Sequence, residues 1–303
     1  MKVKHVETVS IIGAGFMGAQ IGLQCASSGR TVWLVDISKE ALKQAQQSQV
    51  KELEVRLEKQ QITIDEKEAI LKRLHFTGDM EEGTQQADLV IEAVAERLDI
   101  KREVFAHLDK ICPGHTILAT NSSSIRISRI EDATRRPDRV LNLHFYPPVW
   151  QIPMVELMRG TATTDETMER VEGFARSAGL IPLPVNREST GFIFNRVWRA
   201  IKKECLRIVD DNVASCEDID RAWMIFTGMP IGPFGMMDNI GLDVVRDIEM
   251  VYYGESGNES DKPPEVLLGK IARGELGVKT GKGFYHYPHP VFEEPSWLSG
   301  GKE

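Results

Sequence analysis

Length, composition and charge already exclude several classes of protein. The chain has 303 residues, which is enough for one large domain or two ordinary domains with a buried core. It carries 45 acidic and 37 basic side chains, and the resulting net charge of −8 argues against a general nucleic-acid-binding surface.

Membrane, disulfide and metal signals are weak in the sequence. No apolar run approaches the roughly 20 residues of a membrane span, and residues 1–8 lack the apolar stretch of a signal peptide. The four cysteines form no C-x-x-C pattern and the seven histidines are scattered, so we expect reduced thiols and no metal site. The simplest expectation is a protein of a reducing compartment such as the cytoplasm, with neither membrane nor nucleic acid as a partner.

The first predicted unit is a strand, a glycine-rich turn and a helix. Residues 9–12 form a β-branched run, and Gly13, Gly15 and Gly18 then give the spacing G-x-G-x-x-G. The first glycine permits a tight turn, the second lets a pyrophosphate approach the backbone, and the third lets helix and strand pack closely. The pattern predicts a dinucleotide-binding turn.

The residues around this turn support the same prediction. Phe16 and Met17 begin the helix, whose N-terminus offers unpaired N–H groups and the positive end of its dipole to a phosphate. A second apolar strand, residues 31–35, is followed by Asp36, where an acid meets the ribose 2′-hydroxyl in such folds. Because this carboxylate would repel a 2′-phosphate, we expect NAD rather than NADP. The alternative is an ordinary strand–helix–strand turn.

Strand and helix patterns alternate through the rest of the first part of the chain. This alternation predicts an α/β fold with a Rossmann-type, doubly wound parallel sheet. The predicted helices span residues 38–60, 63–74, 99–111 and 164–178, with Ser38 as the N-cap of the first and Thr63 and Glu66 as a capping box at the start of the second. The predicted strands span residues 75–77, 88–94, 116–120, 139–145, 154–158 and 180–185.

The strands stop after about residue 186, and helical patterns follow. We expect helices at 192–211, from 215, at 236–252 and at 265–273, with the glycine- and proline-rich last 30 residues as loop or tail. The sequence therefore predicts a dinucleotide-binding domain at residues 1–186 and an all-helical domain at residues 187–303.

Binding of a nicotinamide cofactor predicts hydride transfer, which needs a group that moves the matching proton. His144 is the best candidate for that group. It ends the strand 139–145, near the carboxyl edge where open α/β sheets bind ligands. Glu156 lies in the next predicted strand, and pairing of the two strands would let its carboxylate fix the imidazole tautomer. Taken alone, His144 could equally be a core histidine and Glu156 a surface acid.

Other polar residues follow the predicted strands. Of the serines at 122–124, one is expected to cap a helix, and another could bond a substrate oxygen. Asn195 falls in the first turn of the long helix, where it could face a ligand cleft or simply solvent. Glu96 and Lys101 follow the strand 88–94 at the ligand edge, and their alternative role is an exposed ion pair.

Taken together, these motifs resemble the short-chain 3-hydroxyacyl-CoA dehydrogenase superfamily, including bacterial 3-hydroxybutyryl-CoA dehydrogenases, over nearly the whole chain. The matching segments are residues 13–18 (GAGFMG), 91–96 (IEAVAE) with Lys101, 121–124 (NSSS), 136–140 (RPDRV), 144–145 (HF), 155–156 (VE), 191–196 (GFIFNR), 232–233 (GP), 241–243 (GLD) and 279–285 (KTGKGFY).

The resemblance implies NAD-dependent interconversion of a 3-hydroxyacyl-CoA and its 3-ketoacyl-CoA, as in fatty acid metabolism. It implies that His144 is the proton-transferring base, that Glu156 orients it, and that Ser123 and Asn195 contact the substrate oxygen. It also implies a homodimer formed through the helical domain. The nucleotide site would further include Ala93, Glu96, Lys101, Asn121 and Lys279.

The chain departs from the family pattern at one informative place. After His-Phe the acyl-CoA enzymes usually have an aromatic residue and Asn-Pro, whereas this chain has Tyr146-Pro147-Pro148. Residues 151–156 look more like relatives that oxidise free hydroxy compounds, such as lambda-crystallin-type gulonate dehydrogenase and carnitine dehydrogenase. The mixed charge of residues 39–59 neither supports nor excludes a CoA site. A dehydrogenase of a free hydroxy acid and a non-catalytic NAD-binding protein are therefore the alternatives.

Overall fold

A computed structural model describes residues 5–300 of the chain. The chain divides into two compact units, Met1–Ile193 and Phe194–Glu303. The first is an α/β unit and the second is helical, so the predicted fold class is confirmed. The boundary that we placed between residues 186 and 187 stays a prediction.

The first unit is built on an eight-stranded sheet with the strand order β3-β2-β1-β4-β5-β6-β7-β8. Its central strands are almost completely buried and rich in Val, Ile and Leu, as expected for a sheet covered on both faces. The strands are β1 Thr8–Ile12, β2 Thr31–Val35, β3 Leu74–Thr77, β4 Leu89–Glu92, β5 Ile117–Thr120, β6 Val140–Phe145, β7 Met154–Arg159 and β8 Ile181–Val185.

The helices of this unit begin where the sequence places capping residues. The Ser38 hydroxyl accepts the N–H of Ala41, and Thr63 and Glu66 form the reciprocal capping box expected from their spacing. The helix expected after the serines is instead a series of short 3₁₀ turns that starts at Ile127–Arg129. The α-helices are α1 Phe16–Ser27, α2 Lys39–Glu58, α3 Ile64–Lys72, α4 Met80–Thr84, α5 Leu98–Ile111 and α6 Asp165–Ser177.

One strand pair differs from the expected all-parallel sheet. All pairs among β1 to β6 are parallel, and so is the pair of β7 and β8, but β6 and β7 are antiparallel. Only residues 146–153 join them, which is too short for the crossover helix that a parallel pair needs. The antiparallel register sets His144 directly opposite Glu156.

The second unit consists of helices packed around an apolar core. The predicted helix at 236–252 is in fact two helices, because Gly241, with a φ of 97°, separates them. The helices are α7 Phe194–Asp210, α8 Cys216–Thr227, α9 Pro233–Ile240, α10 Leu242–Ser256 and α11 Glu265–Ala272.

The segment after α11 is not the loose tail that its composition suggests. Phe284, Tyr285 and Trp297 are buried in the core of the second unit. The Asp238 carboxylate accepts the backbone N–H groups of Phe284 and Tyr285, each at 2.9 Å. These bonds replace those of regular secondary structure and hold the segment in place.

Among residues 5–300, no helix is both long and apolar enough to cross a membrane. The same residues contain no group of three or more His, Cys, Asp or Glu side chains placed to hold a metal ion.

Candidate active site

The three glycines of the turn between β1 and α1 have different surroundings. A Cβ at Gly13 would lie 2.6 Å from the Ala93 carbonyl oxygen, and a Cβ at Gly18 would lie 1.9 Å from the Gly13 carbonyl oxygen. A Cβ at Gly15 would have no neighbour within 4 Å. Gly13 and Gly18 therefore allow close backbone packing, whereas Gly15 faces open space.

The N-terminus of α1 lies at this open space. Gly15 is its N-cap, and no side chain in the described part of the chain caps the helix. Phe16 is 71% exposed, and Met17 is half-buried. The first N–H groups of α1 and the positive end of its dipole are thus available to an anion, as a pyrophosphate site requires.

Asp36 follows β2 and lies beside the glycine turn. Its Oδ2 accepts the N–H of Ala14 at 2.8 Å, and its Oδ1 accepts the N–H of Ser38 at 2.8 Å. The two bonds fix the orientation of the carboxylate, and each oxygen retains a lone pair for a further donor. The arrangement fits a ribose hydroxyl.

A cavity of about 590 Å³ opens next to Gly15. It lies between α1 and α2, and Trp150 forms part of its wall. Its lining is mostly apolar, with Gln49 and Glu52 of α2 among the polar residues. The space is large enough for a substantial part of an organic ligand.

A buried carboxylate organises the edge after β4. Glu92 is fully buried and accepts hydrogen bonds from Lys101 Nζ at 2.7 Å, from Thr120 Oγ1 at 2.7 Å and from the Val94 N–H at 2.7 Å. Lys101 is only 1% exposed, so it is not half of a surface ion pair. Sequence reasoning overlooked Glu92, although an acid within an apolar strand was a usable signal.

Glu96 links this edge to the serines. It accepts hydrogen bonds from the hydroxyls of Ser122 and Ser124 and from the N–H of Ser124, and lies 3.2 Å from Lys101 Nζ. Burial alone would raise its pKa, but the charge of Lys101 and the serine hydrogen bonds together lower the pKa of Glu96. The loop therefore holds a carboxylate that stays charged.

The three serines make different contacts. Ser122 is buried and its hydroxyl accepts the N–H of Ile125 at 2.8 Å, but it does not cap a helix, because the first 3₁₀ turn begins only at Ile127 and has no side-chain cap among the described residues. Ser123 is exposed and makes no hydrogen bond to any other residue in the range 5–300, so its hydroxyl is available to a ligand. Asn121 is half-buried, and its Oδ1 accepts the N–H of Phe145 at 2.9 Å. That bond ties the end of β5 to the end of β6.

His144 and Glu156 form a buried pair across β6 and β7. His144 Nδ1 lies 3.1 Å from Glu156 Oε2, with His144 5% exposed and Glu156 fully buried. A carboxylate can only accept, so Nδ1 carries the hydrogen and the neutral ring has its lone pair on Nε2. Nε2 has no hydrogen-bond partner among the described residues.

The surroundings of this pair were not predicted. The Phe192 ring stacks on the imidazole at a centroid distance of 4.8 Å, and the Tyr146 ring meets it edge-on at 4.5 Å. The Tyr146 hydroxyl and the Ile193 N–H both donate to Glu156. No local sequence pattern gives the contacts of Phe192 and Ile193, because these two residues are distant from the pair in the chain.

Two of the expected site residues belong to the second unit. Asn195 is half-buried in the first turn of α7. Lys279 is exposed, and its Nζ lies 2.5 Å from Asp243 Oδ1 near the start of α10.

Comparison with known proteins identifies the family. The model of the 3-hydroxyacyl-CoA dehydrogenase NAD binding domain matches residues 8–189, and that of the C-terminal domain matches residues 191–287. A probable 3-hydroxybutyryl-CoA dehydrogenase of Bacillus subtilis is 36% identical over 283 residues, which cover 93% of this chain and 98% of the relative.

Solved structures give the same result. The (S)-3-hydroxybutyryl-CoA dehydrogenase of Ralstonia eutropha has a TM-score of 0.88 and 34% identity, over 94% of this chain and all of that one. A diketoreductase described as acting on dicarbonyl compounds has a TM-score of 0.83 and 32% identity, also over 94% of this chain and all of its own. The resemblance seen in the motifs is confirmed: the chain belongs to the 3-hydroxyacyl-CoA dehydrogenase family, whose N-terminal domain binds NAD.

Proposed function

We propose that the protein oxidises the 3-hydroxyl group of a 3-hydroxyacyl-CoA with NAD, and catalyses the reverse reduction, with His144 and Glu156 moving the proton. The observation that carries the proposal is the buried imidazole–carboxylate pair at the carboxyl end of β6, within the unit that the NAD-binding model covers. Open α/β sheets bind their ligands at this edge.

The residues near the glycine turn suit the dinucleotide. The N–H groups at the start of α1 would hold the pyrophosphate, and Asp36 would accept from the ribose hydroxyls. We assign Gly13, Gly15, Phe16, Met17 and Gly18 to the turn itself, and Ala93, Glu96, Lys101, Asn121 and Lys279 to the rest of the site. When bound, NAD supplies the acceptor for the carbinol hydride.

The protein supplies the proton transfer. In oxidation, Nε2 of His144 takes the proton of the substrate hydroxyl, while Glu156 keeps the ring in the tautomer whose lone pair is on Nε2. In reduction, the protonated imidazole returns the proton. We propose that Ser123 and Asn195 hydrogen-bond the substrate oxygen, which is supported by the available hydroxyl of Ser123.

A free hydroxy acid is the second candidate substrate. Pro147 stands where the acyl-CoA enzymes usually have Asn, and the diketoreductase relative is named for dicarbonyl compounds. The test is a turnover screen with NAD of 3-hydroxybutyryl-CoA against 3-hydroxybutyrate, gulonate and carnitine. We expect kcat/KM for the thioester to exceed that for the free acids by about 100-fold or more, because the CoA arm contributes binding energy. Saturable turnover of a free acid with none of the thioester would select the second candidate.

Asp36→Ala tests the assigned cofactor preference. We expect the Kd for NAD to rise about tenfold, because a charge-assisted hydrogen bond to the ribose is lost, and the preference over NADP to shrink. Titration of both cofactors measures this, with Asp65→Ala, an exposed acid in the first turn of α3, as the matched control. An unchanged ratio of NAD to NADP affinity would show that Asp36 does not set the preference.

The assembly and setting of the enzyme are also part of the proposal. We infer a homodimer formed through the helical domain, and support for it comes from Val244, Ile248 and Val251, which lie 38–45% exposed on one face of α10. A domain division at residues 186 and 187, a cytoplasmic location and a role in fatty acid metabolism complete the proposal. Light scattering would detect a monomer if the inferred assembly is wrong.

A further inference from the structure

Tyr146 lies directly after β6 and reaches the buried carboxylate of the catalytic pair. Its side chain is buried, and its hydroxyl donates to Glu156 Oε2 at 2.8 Å. The same oxygen is 3.1 Å from His144 Nδ1, so one carboxylate oxygen serves the phenol and the imidazole together. The other oxygen, Oε1, accepts the N–H of Ile193 at 2.9 Å.

These contacts restrain the orientation of the carboxylate. A phenylalanine at this position would fill nearly the same volume and keep the edge-on contact with the imidazole, but would leave Oε2 without its second donor. The hydroxyl group is therefore the part of the Tyr146 side chain that acts on Glu156. A second donor on Oε2 restrains rotation of the carboxylate and draws part of its negative charge away from the imidazole.

We propose that Tyr146 is a positioning residue for the proton transfer: its hydroxyl holds Glu156 Oε2 against His144 Nδ1 and moderates the charge that the imidazole experiences. The inference rests on the proposed function of His144 and Glu156. The groups described against the pair include the Tyr146 phenol, the Phe192 ring and the Ile193 amide, and the phenol is the titratable group of these three.

Tyr146→Phe tests the role of the hydroxyl. We expect kcat for oxidation to fall about 3- to 10-fold with KM within about twofold, because the carboxylate loses one of its fixed partners. The unshared negative charge of Glu156 would hold the imidazolium more strongly. The acid limb of the kcat/KM profile should therefore move to higher pH, by about half a unit.

Two further variants separate this role from a structural one. Tyr287→Phe removes a similar phenol–carboxylate bond, to Asp238 at 3.0 Å in the second unit, and should leave the pH profile unchanged. In a Glu156→Gln background, Tyr146→Phe should produce no further shift of the acid limb, because the carboxylate through which it acts is absent.

The results for Tyr146→Phe and His144→Gln test the role of Tyr146 separately from the proposed dehydrogenase function. A Tyr146→Phe enzyme with wild-type kcat and pH profile, or one equally impaired with and without Glu156, would overturn the positioning role. If His144→Gln is inactive in the same assay, the proposed function still stands. Full activity of His144→Gln would instead remove the proposed function itself.

Discussion

Replacing His144 with glutamine is expected to lower kcat by about 10²- to 10⁴-fold while the affinity for NAD stays nearly unchanged. Glutamine occupies similar space and can hydrogen-bond Glu156, but its amide cannot take a proton from the substrate hydroxyl. The loss should therefore appear in turnover with a 3-hydroxyacyl-CoA and not in binding of the dinucleotide. Steady-state kinetics together with an NAD titration measure the two effects separately.

His115 offers a matched control for this substitution. It is also paired with a carboxylate in the first unit, with Nε2 3.3 Å from Asp88 Oδ1, but it precedes β5 at the opposite edge of the sheet from His144. His115→Gln should retain most of the wild-type kcat. The assignment of the base would be wrong if His144→Gln turned over within about threefold of wild type, or if both variants lost activity equally.

Gly18→Ala is expected to destabilise the first unit by about 3 kcal/mol. Alanine normally favours a helix interior, but here its Cβ would lie 1.9 Å from the Gly13 carbonyl oxygen, and backbone atoms cannot easily move aside. α1 would have to shift away from β1, and the turn that presents its N-terminus would be distorted. Thermal unfolding should show a lower melting temperature.

Gly15→Ala is the matched control, because it adds the same methyl group at the neighbouring glycine of the motif. No atom lies within 4 Å of the added methyl group, so the melting temperature should stay close to wild type. The methyl group would instead occupy the space through which we expect the pyrophosphate to approach, and the affinity for NAD should fall. A Gly18→Ala protein as stable as wild type, or a Gly15→Ala protein with normal NAD affinity, would contradict the division of roles among the glycines.

The first unit was largely predictable because its signals are local. The glycine spacing, the apolar strands and the caps at Ser38 and Thr63 each act within a few residues, and the structure bears them out. In the second unit, the periodic apolar pattern predicts one helix where the structure has two. Its apolar pattern at 236–252 runs through Gly241, where a positive φ ends one helix and starts another. The aromatic residues of the C-terminal segment carry no periodic pattern, so their burial could not be foreseen.

The candidate site was only partly predictable, for a related reason. Residue type and a place at the end of a strand predict His144, and a place within the next strand predicts Glu156, but their contact depends on β6 and β7 being antiparallel in one register. Glu92 and Tyr146 were missed because their importance lies in hydrogen bonds to residues on other strands. Such contacts exist only once the sheet has assembled.

We expect a hydride to leave C3 of a 3-hydroxyacyl thioester for the nicotinamide while His144 removes the hydroxyl proton. The most direct measurement is oxidation of 3-hydroxybutyryl-CoA deuterated at C3, with NMR analysis of the reduced cofactor. Wild-type enzyme should place the deuterium at C4 of the nicotinamide, and His144→Gln should do so at least about 100 times more slowly. Reduced cofactor without deuterium, or the same rate in both enzymes, would contradict the proposed hydride transfer and the role of His144.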